Sequence, residues 1–198
     1  MSEEHAGWTP NARRLQVASG RHAEAAVAQV VALYRTHRFY AGRYQPRGGL
    51  LPTALVVPQY PKPIGRGQGK MQLVRKGVPD YFGVYLAGDR QYGLSFDVKA
   101  QTGEVSFALP TRYQHQLAFL DEVVRDGGVA FFLIIDLAAG WAWVLDSEEQ
   151  FAQLKAGERV RYCVRENGKP VRHLARAIPR AQLPGTAVYG FDFLGWLR

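Results

Sequence analysis

The 198-residue sequence predicts an α/β fold in which a β-sheet is covered by helices on both faces. Three observations carry that reading. Residues 79–99, PDYFGVYLAGDRQYGLSFDVK, hold two runs rich in aromatic and β-branched residues on either side of the turn signal Gly88-Asp89. Residues 130–136 and 141–145 are almost continuously apolar around an Ala-Ala-Gly turn, as expected of strands at a sheet centre. Helical periodicity recurs before, between and after these strands. A hydrophobic content of 47% supports a real core, and the length suits a single domain over 19–198 preceded by a loose extension over 1–18.

Taken in order, residues 21–38 read as a helix, because Ala23, Val27, Val30, Val31 and Tyr34 recur at helical spacing and Ser19 is placed to cap it. Glu24 falls on the apolar face, where a carboxylate needs a partner. Two readings stand for it: a first-turn acid favoured by the helix dipole, or a member of a catalytic site. Residues 41–79 are punctuated by Gly and Pro, with short strands expected at TALVV (53–57) and at 71–74. After the hairpin of 79–99, GEVSFALP (103–110) reads as a third strand. Thr111 then caps a helix over 112–126 that Gly127-Gly128 closes. Leu117, Leu120, Val123 and Val124 form its apolar stripe, and Gln116 falls inside that stripe. A capped helix over 147–156 follows, with Ser147, Glu148 and Glu149 at its positive end. The tail carries one or two short strands and ends in the apolar segment FDFLGWL (191–197).

Charge narrows the function. The net charge is +8, and from 25 to 79 there is no Asp or Glu against nine Lys and Arg. A second basic tract over 155–180 holds eight cations against Glu158 and Glu166. Segregated positive charge attracts polyanions, so nucleic acid is favoured over a merely solubilising surface or an anionic membrane. Residues 60–70, YPKPIGRGQGK, resemble a projecting basic arm, and Tyr60, Lys62, Ile64, Arg66 and Lys70 are candidate DNA contacts. Its glycines lack the GxxxxGK[ST] spacing of a phosphate-binding loop. The lone Cys163 cannot form an internal disulfide, no Cys/His spacing suggests zinc, and the amino terminus lacks a signal peptide's apolar core. A cytoplasmic protein with no membrane association is expected.

The chemistry concentrates on the hairpin. If Gly88-Asp89 forms the turn, 87 faces 90 and Asp80 falls opposite Asp97, with Cβ atoms roughly 4.5–5.5 Å apart. Ser95, Asp97 and Lys99 share one face of their strand. Two like charges so close call for a cation between them. Carboxylate oxygens suit Mg²⁺, with Mn²⁺ as a substitute, and such an ion activates water for attack on a phosphodiester. Lys99 would orient that water or neutralise the transition state. The Pro-Asp … Asp-x-Lys arrangement is that of the PD-(D/E)xK, restriction-endonuclease-like nucleases, whose core is a mixed β-sheet flanked by helices.

Within that superfamily, PDYFGVY, LSFDVKAQTGEVSFAL and YQHQLAFLDEVVRDGGVAFFLII resemble the RecU-type Holliday junction resolvases. SGRHAE is similar to that family's first helix start, which places Glu24 at an acidic position, and PTALVVPQYP is similar to the strand leading into its stalk. The resemblance implies that Asp80, Asp97 and Gln116 hold metal, that Lys99 is the catalytic lysine, and that Arg75, Lys76 and the arm meet DNA. It also implies a homodimer acting on branched, four-way DNA, which has two-fold symmetry of its own. Val78 replaces a hydroxyl residue of the family, removing a side-chain ligand, and Asp97 stands where Glu is more usual. The alternatives are another PD-(D/E)xK nuclease, of restriction or repair type, acting on linear duplex, and a non-catalytic DNA-binding protein.

Overall fold

In the computed structural model, residues 10–34, 38–40, 43–45, 53–58, 62–63, 71–72, 79–87, 90–183 and 186–197 are described. The chain begins with helix α1 (Pro10–Tyr34), the paired strands β1 (Arg38–Tyr40) and β2 (Arg43–Gln45), strand β3 (Thr53–Pro58), and the paired strands β4 (Lys62–Pro63) and β5 (Met71–Gln72). The hairpin of β6 (Tyr81–Ala87) and β7 (Arg90–Ala100) follows, then β8 (Ser106–Phe107), a 3₁₀ turn (Thr111–Tyr113), α2 (Gln114–Arg125), β9 (Val129–Asp136), β10 (Trp141–Leu145) and α3 (Glu148–Lys155). The tail adds β11 (Val160–Arg161), β12 (Cys163–Glu166), β13 (Lys169–His173), β14 (Arg176–Pro179), β15 (Ala181–Gln182), β16 (Tyr189–Gly190) and a 3₁₀ turn (Gly195–Leu197).

Among the described residues, six strands form the central sheet in the order β14-β10-β9-β7-β6-β3. Neighbours are antiparallel except β7 and β9, which run parallel and are joined by the α2 crossover that parallel strands require. These two strands lie at the centre, so both faces of each are covered. Leu94, Phe96 and Val98 of β7 pack with Phe131, Leu133 and Ile135 of β9 on the α1 side. Ala130, Phe132 and Ile134 pack with Leu117, Leu120 and Phe151 on the side of α2 and α3. On the α1 side the rings of Tyr81, Phe96 and Phe131 stack in series at 4.7 and 5.0 Å, tying three strands together. Asp97 pairs in register with Phe132, so strand alternation puts its carboxylate on the α2 side. The carboxy-terminal segment also enters the α1-side core: Phe191, Phe193 and Leu194 are buried, and the Tyr34 hydroxyl donates to Asp192 Oδ1 at 2.8 Å.

The expected apolar face of α1 is observed, with Ala23, Val27, Val30, Val31 and Tyr34 all buried. Its ends differ. The helix starts at Pro10 and stops at Tyr34, so 10–18, expected as a loose extension, are helical. Pro is well suited to a first helical turn, where its missing N–H costs nothing, and the Ala, Arg, Leu and Gln that follow sustain the helix through Ser19 and Gly20. Thr111 is not a cap. Instead Pro110, at φ −58° and ψ 143°, leads into the 3₁₀ turn, where the Tyr113 N–H donates to the Pro110 carbonyl at 2.8 Å. The Gly-Gly stop is observed as a Schellman motif. Gly127, at φ +78°, donates to Val124 O, and Gly128 donates to Val123 O. The third strand shrinks to Ser106–Phe107, paired with β11 outside the main sheet, whereas β14 from the tail joins that sheet at its edge. The α3 capping box forms between Ser147 and Gln150 as its sequence predicts. Among the described residues, no helix is long and apolar enough to cross a membrane.

Candidate active site

The β6–β7 register matches the turn-based expectation: Ala87 faces Arg90 and Tyr81 faces Phe96, so one step further Asp80 falls opposite Asp97. Backbone hydrogen bonds fix both side chains. The Asp80 N–H donates to Asp97 Oδ1 at 3.3 Å, and the Val98 N–H donates to Asp80 Oδ2 at 3.0 Å. Asp97 is completely buried, and its Oδ2 is ion-paired with the Lys99 ammonium. That ammonium also donates to Gln116 Oε1 at 3.3 Å, and Gln116 is buried on α2. One cationic atom therefore touches both an aspartate and an amide oxygen, which brings Asp97, Lys99 and Gln116 to a single point beside Asp80.

Burial pushes the Asp97 carboxyl up, Lys99 opposes that rise and Asp80 adds to it, leaving the group at about 7. A further positive charge placed beside this carboxyl would favour its ionised form, adding to what Lys99 already does. Glu24, expected on the apolar face of α1, is exposed beside it, and from there its partly buried carboxyl lies in the same field. Burial raises its carboxyl, Asp80 adds to the rise, and Lys99 and Arg21 oppose it. The helix is tied to the hairpin at this point, because the Tyr81 hydroxyl donates to the Glu24 carbonyl at 3.4 Å. Among the described residues, no group of three or more His, Cys, Asp or Glu could hold a metal. A cation here would rest on Asp80, Asp97, Gln116 and water. All of these are oxygen donors, and the buried, proton-binding Asp97 fits the addition of positive charge.

Beside Lys99 opens a cleft of about 430 Å³ lined by Gly20, Gln101, Phe107, Arg112 and Tyr113 among others. The Lys99 ammonium lies over the Tyr113 ring, 4.9 Å from its centroid, and the Arg112 guanidinium lies 4.8 Å from the same centroid. The pattern-based reading passed over these two residues. The available signal is that Tyr113 precedes Gln116 by three positions, one helical turn, at the start of the segment carrying that glutamine. Tyr60, Arg66, Lys70, Arg75, Lys76 and Val78 lie outside the described residues, and Lys62 stands in the short strand β4.

A family model described as recombination protein U matches residues 52–160, more than half of the chain and the stretch that carries Asp80, Asp97, Lys99 and Gln116. The Holliday junction resolvase RecU of Limosilactobacillus fermentum is 34% identical over 83 residues, 42% of this chain and 37% of that protein. The protein of the same name from Limosilactobacillus reuteri is 34% identical over 83 residues, 39% of its length. The matched region thus spans well under half of these relatives. With the family match covering both the hairpin and the helix that meets it, the chain belongs to the recombination protein U family.

Proposed function

We propose that the protein is a structure-selective endonuclease that resolves four-way (Holliday) DNA junctions by metal-dependent phosphodiester hydrolysis, working as a homodimer that makes paired, symmetric nicks. The observation that carries this reading is the convergence of Asp97, Lys99 and Gln116 beside Asp80, inside the region that matches the family. Pro79-Asp80 and Asp97-x-Lys99 on one hairpin fit a PD-(D/E)xK nuclease core.

Asp80, Asp97 and Gln116 would hold Mg²⁺, or Mn²⁺ in its place, and the ion when bound supplies charge stabilisation at the phosphoryl group and a water of lowered pKa. Lys99 holds its positive charge on the same strand face, where a phosphate gathering negative charge is stabilised most. Burial of Asp97 removes competing water and strengthens every charge interaction at this point. Glu24 would be the further catalytic acid, its carboxyl interacting electrostatically with Asp80 and Lys99 from α1. The arm residues Tyr60, Lys62, Arg66 and Lys70, with Arg75 and Lys76, bring the phosphate contacts that position the DNA. A four-way junction is two-fold symmetric and must be cut on two opposed strands, which two symmetry-related sites achieve. On β6, Phe82 is 40% exposed beside the partly buried Val84 and Leu86, and this apolar stripe supports pairing with a second copy.

The test is cleavage of a synthetic four-way junction beside a linear duplex of the same sequence, in Mg²⁺ and in EDTA. Paired nicks in the junction with Mg²⁺ alone are expected. Equal cutting of both substrates would contradict the resolvase reading.

A further inference from the structure

Lys99 is not the only cation addressed to the cleft beside the aspartates. Arg112 is exposed, and among the described residues it makes no ion pair; its guanidinium lies over the Tyr113 ring instead. Because Lys99 and Arg112 each lie within 5 Å of one ring centroid, their charges are no more than about 10 Å apart. Both residues line the same cleft. A strand of duplex DNA carries one phosphate per roughly 3.4 Å of helix axis, so two cations within this distance can be met by phosphates close together on one strand. An aromatic face attracts a cation without removing its charge or using its N–H donors. Tyr113 therefore holds both groups in place and leaves the Arg112 guanidinium its donors for phosphate, while the Lys99 ammonium, already engaged by Asp97 and Gln116, keeps one of its three N–H groups for the same purpose.

Building on the nuclease reading, we propose that Arg112 binds the phosphate next to the one faced by Lys99. Tyr113 is a positioning residue that fixes the lysine against Asp97 and Gln116 and sets the spacing between the two cations. A tyrosine in contact with both Arg112 and Lys99 thus registers the DNA strand on the catalytic group. Asp97 and Gln116 engage the Lys99 ammonium and the Tyr113 ring adds a third contact, so loss of the ring leaves the lysine present but loosely aimed.

Two measurements on the full chain test this. The first is the affinity of the metal-free protein for a four-way junction, followed by fluorescence anisotropy over a range of salt. Arg112→Ala should flatten the log–log salt slope by about 0.9, the value for one lost phosphate contact, while Arg112→Lys keeps the slope. An Arg112→Ala slope equal to wild type overturns the phosphate contact. The second is single-turnover cleavage in Mg²⁺ at saturating protein. Tyr113→Leu should slow cleavage about 10- to 100-fold, the scale of a small misplacement of a catalytic group, with binding little changed. Tyr113→Phe, which keeps the ring, should restore most of the rate. Equal rates for the Leu and Phe variants overturn the positioning role, as does a wild-type protein that cuts no DNA in Mg²⁺ or Mn²⁺. If wild type cuts linear duplex as readily as the junction, the resolvase reading fails separately. The slope and the Leu–Phe comparison, repeated on duplex, then still decide the roles of Arg112 and Tyr113.

Discussion

The backbone N–H of Asp80 donates to Oδ1 of Asp97 at 3.3 Å, so the two carboxylates are joined through the main chain rather than held apart as free charges. Oδ2 of Asp80 accepts in turn from the N–H of Val98, a buried residue one step past Asp97. Asp80 thus continues the strand pairing with its side chain where β6 has not yet begun.

This dual role separates two substitutions. Asp80→Asn keeps an oxygen acceptor for the Val98 N–H and should unfold in urea close to wild type. Asp80→Ala leaves that buried donor unsatisfied and should cost about 1–3 kcal/mol in the same measurement. Both variants should lose DNA cleavage.

Gln116 is expected to act on the metal site without supporting the fold. Gln116→Leu removes the acceptor of Lys99 and one candidate oxygen ligand, while a similar volume remains on α2. Mg²⁺ affinity measured by calorimetry should fall about 10-fold or more, the usual cost of disturbing a ligand or its support. The melting temperature without metal should stay close to wild type.

A second buried acid has a structural role. Asp136, at the end of β9, accepts from the Arg165 guanidinium at 2.6 Å, from the Gly103 N–H at 2.9 Å and from the Ala139 N–H at 3.0 Å. Arg165 also donates to the carbonyls of Glu104 and Gly168. Arg165→Met leaves a buried carboxylate without its counter-charge, so denaturant unfolding should report a loss of about 3–5 kcal/mol.

The close approach of α2 to the sheet is checked at Gly128. A Cβ there would meet Val123 Cγ1 at 2.7 Å and the Gly93 carbonyl oxygen at 3.0 Å, and the latter is backbone of a central strand. Gly128→Ala should therefore destabilise by about 1–3 kcal/mol, as overpacking does, measured by urea denaturation.

How much of this the sequence revealed depends on whether the determinants are local. The Asp80–Asp97 pairing follows from a two-residue turn and strand periodicity, both set within 20 residues, and it was legible. So were the Gly127-Gly128 stop and the Ser147 cap, since each rests on neighbouring hydrogen bonds. The early start of α1 was not, because Ser19 offers a capping signal for a start near 20, which the helix formers before it override. The place of β14 in the central sheet depends on pairing with β10 across the intervening α3 and β11–β13, which no local pattern specifies. Arg112 and Tyr113 escaped for a similar reason: a cation over a ring is a three-dimensional contact, and Thr111 suggested a helix start where a 3₁₀ turn lies.

The most direct test of the account is Asp97→Asn, which keeps the size of the side chain and an acceptor for the Asp80 N–H but removes the buried charge. Junction binding in EDTA and single-turnover junction cleavage in Mg²⁺ should be measured on the same preparation. Binding within about twofold of wild type with cleavage reduced at least about 10³-fold, about 4 kcal/mol of transition-state stabilisation, is the predicted result. Cleavage at or near the wild-type rate would contradict the assignment of Asp97, and with it the active site drawn around the β6–β7 hairpin.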